Sequence, residues 1–238
     1  MQRASAAFVI AIGLGAGLAD TGTAGDGPVV IELFTSQGCV SCPPADAHLA
    51  EHLAGRDDVI ALALHVDYWD YIGWEDAFAR PEFTLRQKSY AHANGNRTIY
   101  TPQMIVGGRD MVAGFRPMQL AERIAEHRAQ PDTVVLSARL MGDGMVEIVA
   151  RRTEAALPDA MTVQLVRYMP QREVSITRGE NAGRTIVYAN IVTDWQQVDH
   201  WDGRADYTSQ VPAPGDAPAA VIIQAEGPGP VIAAAMAR

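Results

Sequence analysis

The chain has two cysteines, Cys39 and Cys42, in Cys-x-x-Cys spacing where a strand pattern gives way to a helix pattern. Residues 29–34, VVIELF, form a short β-branched apolar run, the signature of a buried strand. Residues 35–38 read as a loop. Further on, Ala45, Leu49 and Leu53 recur at i, i+4 and i+8, with Asp46, His48, Glu51 and His52 between them, and Gly55 supplies a stop. Pro43 and Pro44 suit a first helical turn, whose N–H groups lack intrahelical partners anyway.

This position has a chemical consequence. A helix N-terminus carries partial positive charge and free N–H groups, so a thiolate there is stabilised and its pKa falls toward ambient pH. Cys39, on the loop side, is expected to be the more exposed sulfur and the nucleophile. Cys42 can close a disulfide beneath it and is expected to resolve; exchange needs those two roles. Zinc is a competing reading, because Cys39, Cys42, His48 and His52 follow C-x2-C-x5-H-x3-H. That linker is much shorter than the ~12–15 residues usual for such a site. On a helix starting near Cys42, His48 lies roughly 9 Å along the axis and about 240° round it, so the four side chains do not converge. The two histidines are expected on a solvated face, and no metal is assigned.

Length and charge narrow the function classes. The 238 residues allow two modest domains, and the net charge of −9, with no Lys/Arg cluster, disfavours nucleic acid and anionic membrane surfaces as partners. Arg3 precedes a small-residue apolar run over residues 4–19, followed by polar and small residues to Gly27. This reads as a secretory signal over residues 1–24, with an uncleaved anchor as the alternative. No membrane association is expected after cleavage, and the protein is expected to be exported, periplasmic or secreted. In an oxidising compartment paired cysteines are often structural. A bridge this short restricts the unfolded chain little, however, and no other cysteine exists to build a framework, which favours redox chemistry.

Residues 58–67, DVIALALHVD, are a second apolar strand, which with the first strand and helix makes a β-α-β unit with parallel pairing. Chemistry in such sheets collects at the strands' carboxyl ends, here Cys39 and residues 65–69. Residues 68–96 read as an insertion capping that edge, aromatic and acidic first, then helical from Pro81. Tyr68, Trp69 and Trp74 would line a groove or pack as a lid. Thr101 and Pro102 open a short strand ending in Gly107-Gly108, residues 110–113 return as its hairpin partner, and residues 118–128 look helical. From Asp132 the period changes to two, and several short strands suggest a small β-sandwich. Residues 179–184, GENAGR, resemble a phosphate loop but lack its Gly-Lys-Ser/Thr ending and read as a turn.

Residues 34–42 after a strand, and Thr101-Pro102 before a hairpin and a last helix, resemble the thioredoxin superfamily. More closely, ELFTSQGCVSCPPAD, HVDYWDYIGW, YTPQMIVGG and RGENAGRTIVY are similar to an exported family of uncharacterised proteins, domain of unknown function 1223. The resemblance implies an α/β fold: a thioredoxin-like domain with a helical insertion over residues 28–131, then a small all-β, sandwich-like domain over residues 132–238. It implies a cis Pro102 facing the cysteines, with the Thr101 backbone pairing an extended substrate. It also implies that Glu32, on the first strand, relays a proton to the resolving thiol.

The expected function is thiol–disulfide exchange with protein or small-molecule thiols and disulfides. Cys39, Cys42 and Glu32 would be catalytic, Thr101 and Pro102 substrate-binding, with no organic cofactor. The alternatives are a Cu(I)-binding or copper-delivery protein using the two thiolates with His65, and a binding module whose thiols are vestigial.

Overall fold

A computed structural model describes residues 25–153 and 155–238; the signal expected over residues 1–24 lies outside the described residues. The chain opens as β1 (Val29–Thr35), α1 (Pro43–His48, continued by a π-helical turn, Leu49–Leu53) and β2 (Val59–His65). A 3-10 turn (Asp70–Ile72), α2 (Pro81–Ala93), the hairpin β3 (Gln103–Val106) and β4 (Asp110–Ala113), and α3 (Pro117–Arg128) follow. All three α-helices start on a proline, which tolerates the first turn because it has no N–H to leave unpaired. The rest is strand: β5 (Val134–Leu140), β6 (Met145–Arg152), β7 (Met161–Ser175), β8 (Thr185–Trp201), β9 (Tyr207–Pro212), β10 (Ala219–Ala225) and β11 (Val231–Met236).

β1 pairs in parallel with β2 and antiparallel with β3. Its alternating side chains enter two different cores. Ile31 and Leu33 meet α1 and α3 through Ala45, Leu49, Leu120 and Ile124, whereas Val30 and Phe34 meet α2 through Phe83 and Tyr90. Burial on both faces explains why β1 and β2 read as continuous apolar runs rather than as alternation.

The expected fold class is corrected here. Among the described residues the structure is mostly β, with 41% strand against 18% helix, and its first half is not a separate α/β thioredoxin-like layer followed by a free-standing sandwich. One mixed eight-stranded sheet, in the order β11-β10-β7-β8-β2-β1-β3-β4, draws strands from both halves. The reason is an edge. β2 would otherwise expose a row of unpaired backbone groups, and β8 joins it there at Ala63 and Ile191. The strands β5, β6 and β9 form a second sheet. It packs on β7 and β10 through Val146, Ile148, Val163, Leu165, Val221 and Ile223, so the two-layer packing exists as one flank of the large sheet.

The sequence suggests separate short strands where β7 and β8 run 15 and 17 residues. They pair as one long antiparallel ribbon whose register shifts between Val163 and Gln164 and between Arg167 and Tyr168, and in which Pro170 and Asn190 fall between the pairs Met169–Ile191 and Gln171–Ala189. Proline donates nothing to the ladder at that point. Asn190 takes a left-handed φ of 47° and donates from Nδ2 to the Ala61 carbonyl of β2 at 2.9 Å. Beyond Asn190 the ribbon runs on to the cysteine loop, which it meets through Asn181.

Candidate functional site

Cys39 and Cys42 are joined as a disulfide with their Cα atoms 5.4 Å apart. The Cys39 N–H donates to Ser36 O and the Cys42 N–H to Cys39 O, a tight turn that leads into α1, where Ala45 and Asp46 N–H groups donate to Cys42 O. The two cysteines do not differ in exposure as the sequence suggests. Cys39 is 1% and Cys42 0% exposed, while Val40 between them is 50% exposed. Gly38 is needed for a close approach: a Cβ there would lie 3.2 Å from Trp69 Cβ.

Thr101 and Pro102 come to the same place. Ser41 Oγ lies 3.4 Å from Cys39 Sγ and donates to the Thr101 carbonyl at 3.4 Å. The Thr101–Pro102 bond is cis, as expected. Trp69 braces the segment, donating from Nε1 to Thr101 Oγ1 at 2.7 Å. The aromatic insertion therefore packs against the site, with Trp74 donating from Nε1 to Gln37 Oε1 at 2.7 Å.

Glu32 is held elsewhere. It points to the α2 face of β1, where Arg86 donates to both of its oxygens at 2.6 and 2.8 Å and Tyr90 OH donates at 2.6 Å. Arg86 is stacked 3.9 Å from the Trp195 ring and also donates to Gln224 Oε1, which ties α2 to β8 and β10. Burial opposes the charge on Arg86, but Glu32 and Tyr90 outweigh it and raise its pKa further.

The carboxyl beside the cysteines is Asp46, one helical turn beyond Cys42. Asp46 is buried, accepts from Thr35 Oγ1 at 2.8 Å through Oδ1, and has no partner at Oδ2. Burial pushes its pKa up to about 7, against the opposing pull of His65 and the Thr35 hydrogen bond. Around it lie three further buried groups. His65 Nδ1 is 2.7 Å from Asp76 Oδ2, which also accepts from the Gln37 N–H at 2.8 Å. The Tyr188 ring stands edge-on to His65 with centroids 5.0 Å apart. His65 Nε2 and Tyr188 OH, like Asp46 Oδ2, have no partner. Burial, then Asp46 and Asp76, raise the Tyr188 pKa.

Sequence reasoning missed two residues. Asp46 reads as part of a polar helix face, and its i+4 spacing from Cys42 is the signal that points to it. Asn181 lies in the turn over residues 176–184, the tip of the β7–β8 ribbon. It donates from Nδ2 to the carbonyls of Gln37 and Cys39, both at 2.9 Å. Only the motif similarity of residues 178–188 marks that turn, and nothing local marks its target.

Among the described residues no group of three or more His, Cys, Asp and Glu side chains is arranged to hold a metal ion. His65, the third ligand of the copper reading, is engaged with Asp76. His52 is exposed, and His48 packs against Phe115 with ring centroids 5.4 Å apart.

The sequence matches the family described as "Protein of unknown function (DUF1223)" over residues 30–224. The crystal structure of a protein from Agrobacterium tumefaciens is similar, with 35% identity and a TM-score of 0.74 over 88% of this chain and 93% of that one. HBP35 of Porphyromonas gingivalis, at 13% identity and a TM-score of 0.63 over 88% of this chain and 74% of that one, is alike in fold alone. No curated protein matches. With the match spanning most of its length, the chain belongs to the DUF1223 family of proteins of unknown function.

Proposed function

We propose that the protein carries out thiol–disulfide exchange through Cys39 and Cys42, in an exported, oxidising setting and with the fold's Thr101–Pro102 segment presenting the substrate, as in the thioredoxin superfamily. The observation that carries this reading is the convergence of three things at one spot. They are the disulfide at the start of α1, the Thr101 carbonyl bonded to Ser41 between the cysteines, and a buried carboxyl with a free oxygen one turn behind Cys42.

In the reducing direction the Cys39 thiolate attacks a substrate disulfide, forming a Cys39–substrate disulfide and releasing one thiolate. Cys42 gives up its proton and attacks Cys39 Sγ, which restores the Cys39–Cys42 bond and releases the second substrate sulfur. One substrate disulfide becomes two thiols, and the protein dithiol becomes a disulfide. The reverse sequence oxidises thiols. The proton that leaves Cys42 needs a carrier. Asp46 is better supported than Glu32, because Asp46 keeps one oxygen free, whereas both Glu32 oxygens are taken by Arg86 and Tyr90.

The test is a trap. Cys42→Ser, mixed with oxidised glutathione after reduction, accumulates a glutathionyl adduct on Cys39 that is visible by intact mass, and Cys39→Ser accumulates much less on Cys42. Failure of Cys42→Ser to form any adduct, while the wild-type pair also stays inert to glutathione, overturns the reading.

A further inference from the structure

The cysteine loop is held by a segment that comes from the far part of the chain. At the tip of the β7–β8 ribbon residues 177–180 and 182–185 are exposed, and Asn181 alone among them is buried, at 1% exposure. A polar side chain is buried at small cost only when its hydrogen bonds are made. The Asn181 amide makes two, and both go to the backbone of the cysteine loop, at Gln37 O and Cys39 O, more than 140 residues away in sequence. Its Oδ1 is buried without a partner, as is Gln37 Nε2.

A second contact presses the same tip down. Gly179 has a φ of +75°, and a Cβ built there would lie 3.2 Å from Trp74 Cβ. Trp74 in turn holds the Gln37 side chain. Hairpin tip and aromatic insertion thus meet over one loop, and each grips Gln37. In that loop both cysteines are almost wholly inaccessible, although Val40 and Ser41 face solvent. Ile176 and Ile186 anchor the base of the tip against Trp74 and Phe78, but between them residues 177–180 and 182–185 are exposed, so this end can lift locally on that base once the Asn181 bonds open; segments with little buried surface are the first to open.

We propose that this tip, held by Asn181, is the specificity element of the exchange site: it admits low-molecular-weight thiols and disulfides to Cys39 and excludes cysteines on the surfaces of folded proteins. The inference rests on the exchange reading above. A small thiol needs only a slight displacement beside Val40 and Ser41 to reach the sulfur. A folded partner must clear the whole tip. The exchange itself is unchanged, with a thiolate forming a bond to Cys39 Sγ as the Cys39–Cys42 bond breaks and Cys42 takes up a proton.

The experiment compares the oxidised wild type with Asn181→Ala, each mixed with glutathione and, separately, with a small folded protein carrying a reduced Cys-x-x-Cys pair. The readout is the ratio of the two second-order rates, protein over glutathione. Loss of two hydrogen bonds from the closed tip is expected to raise that ratio by about ten-fold. Gly179→Ala, which lifts the tip by steric pressure on Trp74 and leaves the amide in place, is the second variant and is expected to shift the ratio in the same direction. Far-UV circular dichroism and a thermal melt establish that each variant is folded. A ratio that stays constant in both folded variants, whether or not the individual rates change, overturns the specificity role. A wild type that reacts with neither partner overturns the exchange reading instead.

Discussion

Thr35, the last residue of β1, donates its hydroxyl to Asp46 Oδ1 at 2.8 Å and so fixes the carboxyl one turn behind Cys42. The groups facing this carboxyl are His65 of β2, Asp76 of the insertion and Tyr188 of β8. Because its other oxygen is unpaired and buried, the neutral acid is favoured well above the usual carboxylate range, to about pH 7.

That shift makes a prediction about stability against pH. The folded pKa is raised from 3.8 to about 7, so the folded state binds the proton more tightly than the unfolded state. The stabilisation is fully present below about pH 4 and is lost as pH rises through about 7. Asp46→Asn removes this dependence. Over that window the wild type is expected to lose up to about 1.4 kcal/mol per pH unit relative to the variant. Urea unfolding of both proteins at pH 4, 5.5 and 7 measures it, and parallel curves would count against a protonated Asp46.

Glu32 and Asp46 are separable by kinetics. Asp46→Asn is expected to slow resolution of the Cys39 mixed disulfide by Cys42 and to flatten its pH profile, with adduct formation less affected. Glu32→Gln is expected to leave resolution close to wild type and to lower stability. Stopped-flow with glutathione disulfide distinguishes them; slower resolution in Glu32→Gln alone would return the relay to the strand residue.

Arg86 is the sharper stability probe. Removing one member of a buried ion pair leaves the other charge uncompensated, which costs roughly 3–5 kcal/mol. Arg86→Met is therefore expected to lower the denaturation midpoint strongly, and the double variant with Glu32→Gln to recover part of the loss. A double variant no better than Arg86→Met would mean that the stacking of Arg86 on Trp195 dominates.

The left-handed backbone within the long ribbon is testable at Asn190. Asn190→Ala loses the bond to Ala61 O and must hold a left-handed backbone, together costing about 2 kcal/mol. Asn190→Gly loses only the bond and is expected to cost about 1 kcal/mol. Equal losses in denaturant unfolding would show that the backbone conformation is not the constraint.

The local elements around the cysteines were legible without coordinates. The strand, loop and helix over residues 29–53, the helix Pro81–Ala93, the proline-led hairpin and the final helix all follow from apolar spacing, proline placement and glycine stops. These signals act within one or two turns of chain. The two cysteines, three positions apart in sequence, carried their own chemistry with them.

Three features required the tertiary structure. The first is the continuous sheet. Most strands of residues 132–238 have a readable pattern, although β9 and the end of β8, around Trp195 to Trp201, read as loop; which edge each strand pairs with depends on backbone groups that carry no side-chain signature, and β8 found the exposed edge of β2. The second is the choice of carboxyl. β1 is buried on both faces, so no polar alternation tells which face Glu32 takes; α2 supplied Arg86 on one side, and α1 brought Asp46 to Thr35 on the other. The third is Asn181, whose turn looks like any other until the ribbon carries it to the Cys39 carbonyl. Sequence by itself determined the elements and the reactive pair, because local periodicity and covalent spacing suffice for them. Only the fold decided what surrounds that pair, because contacts across more than a hundred residues are chosen by packing and leave no local trace.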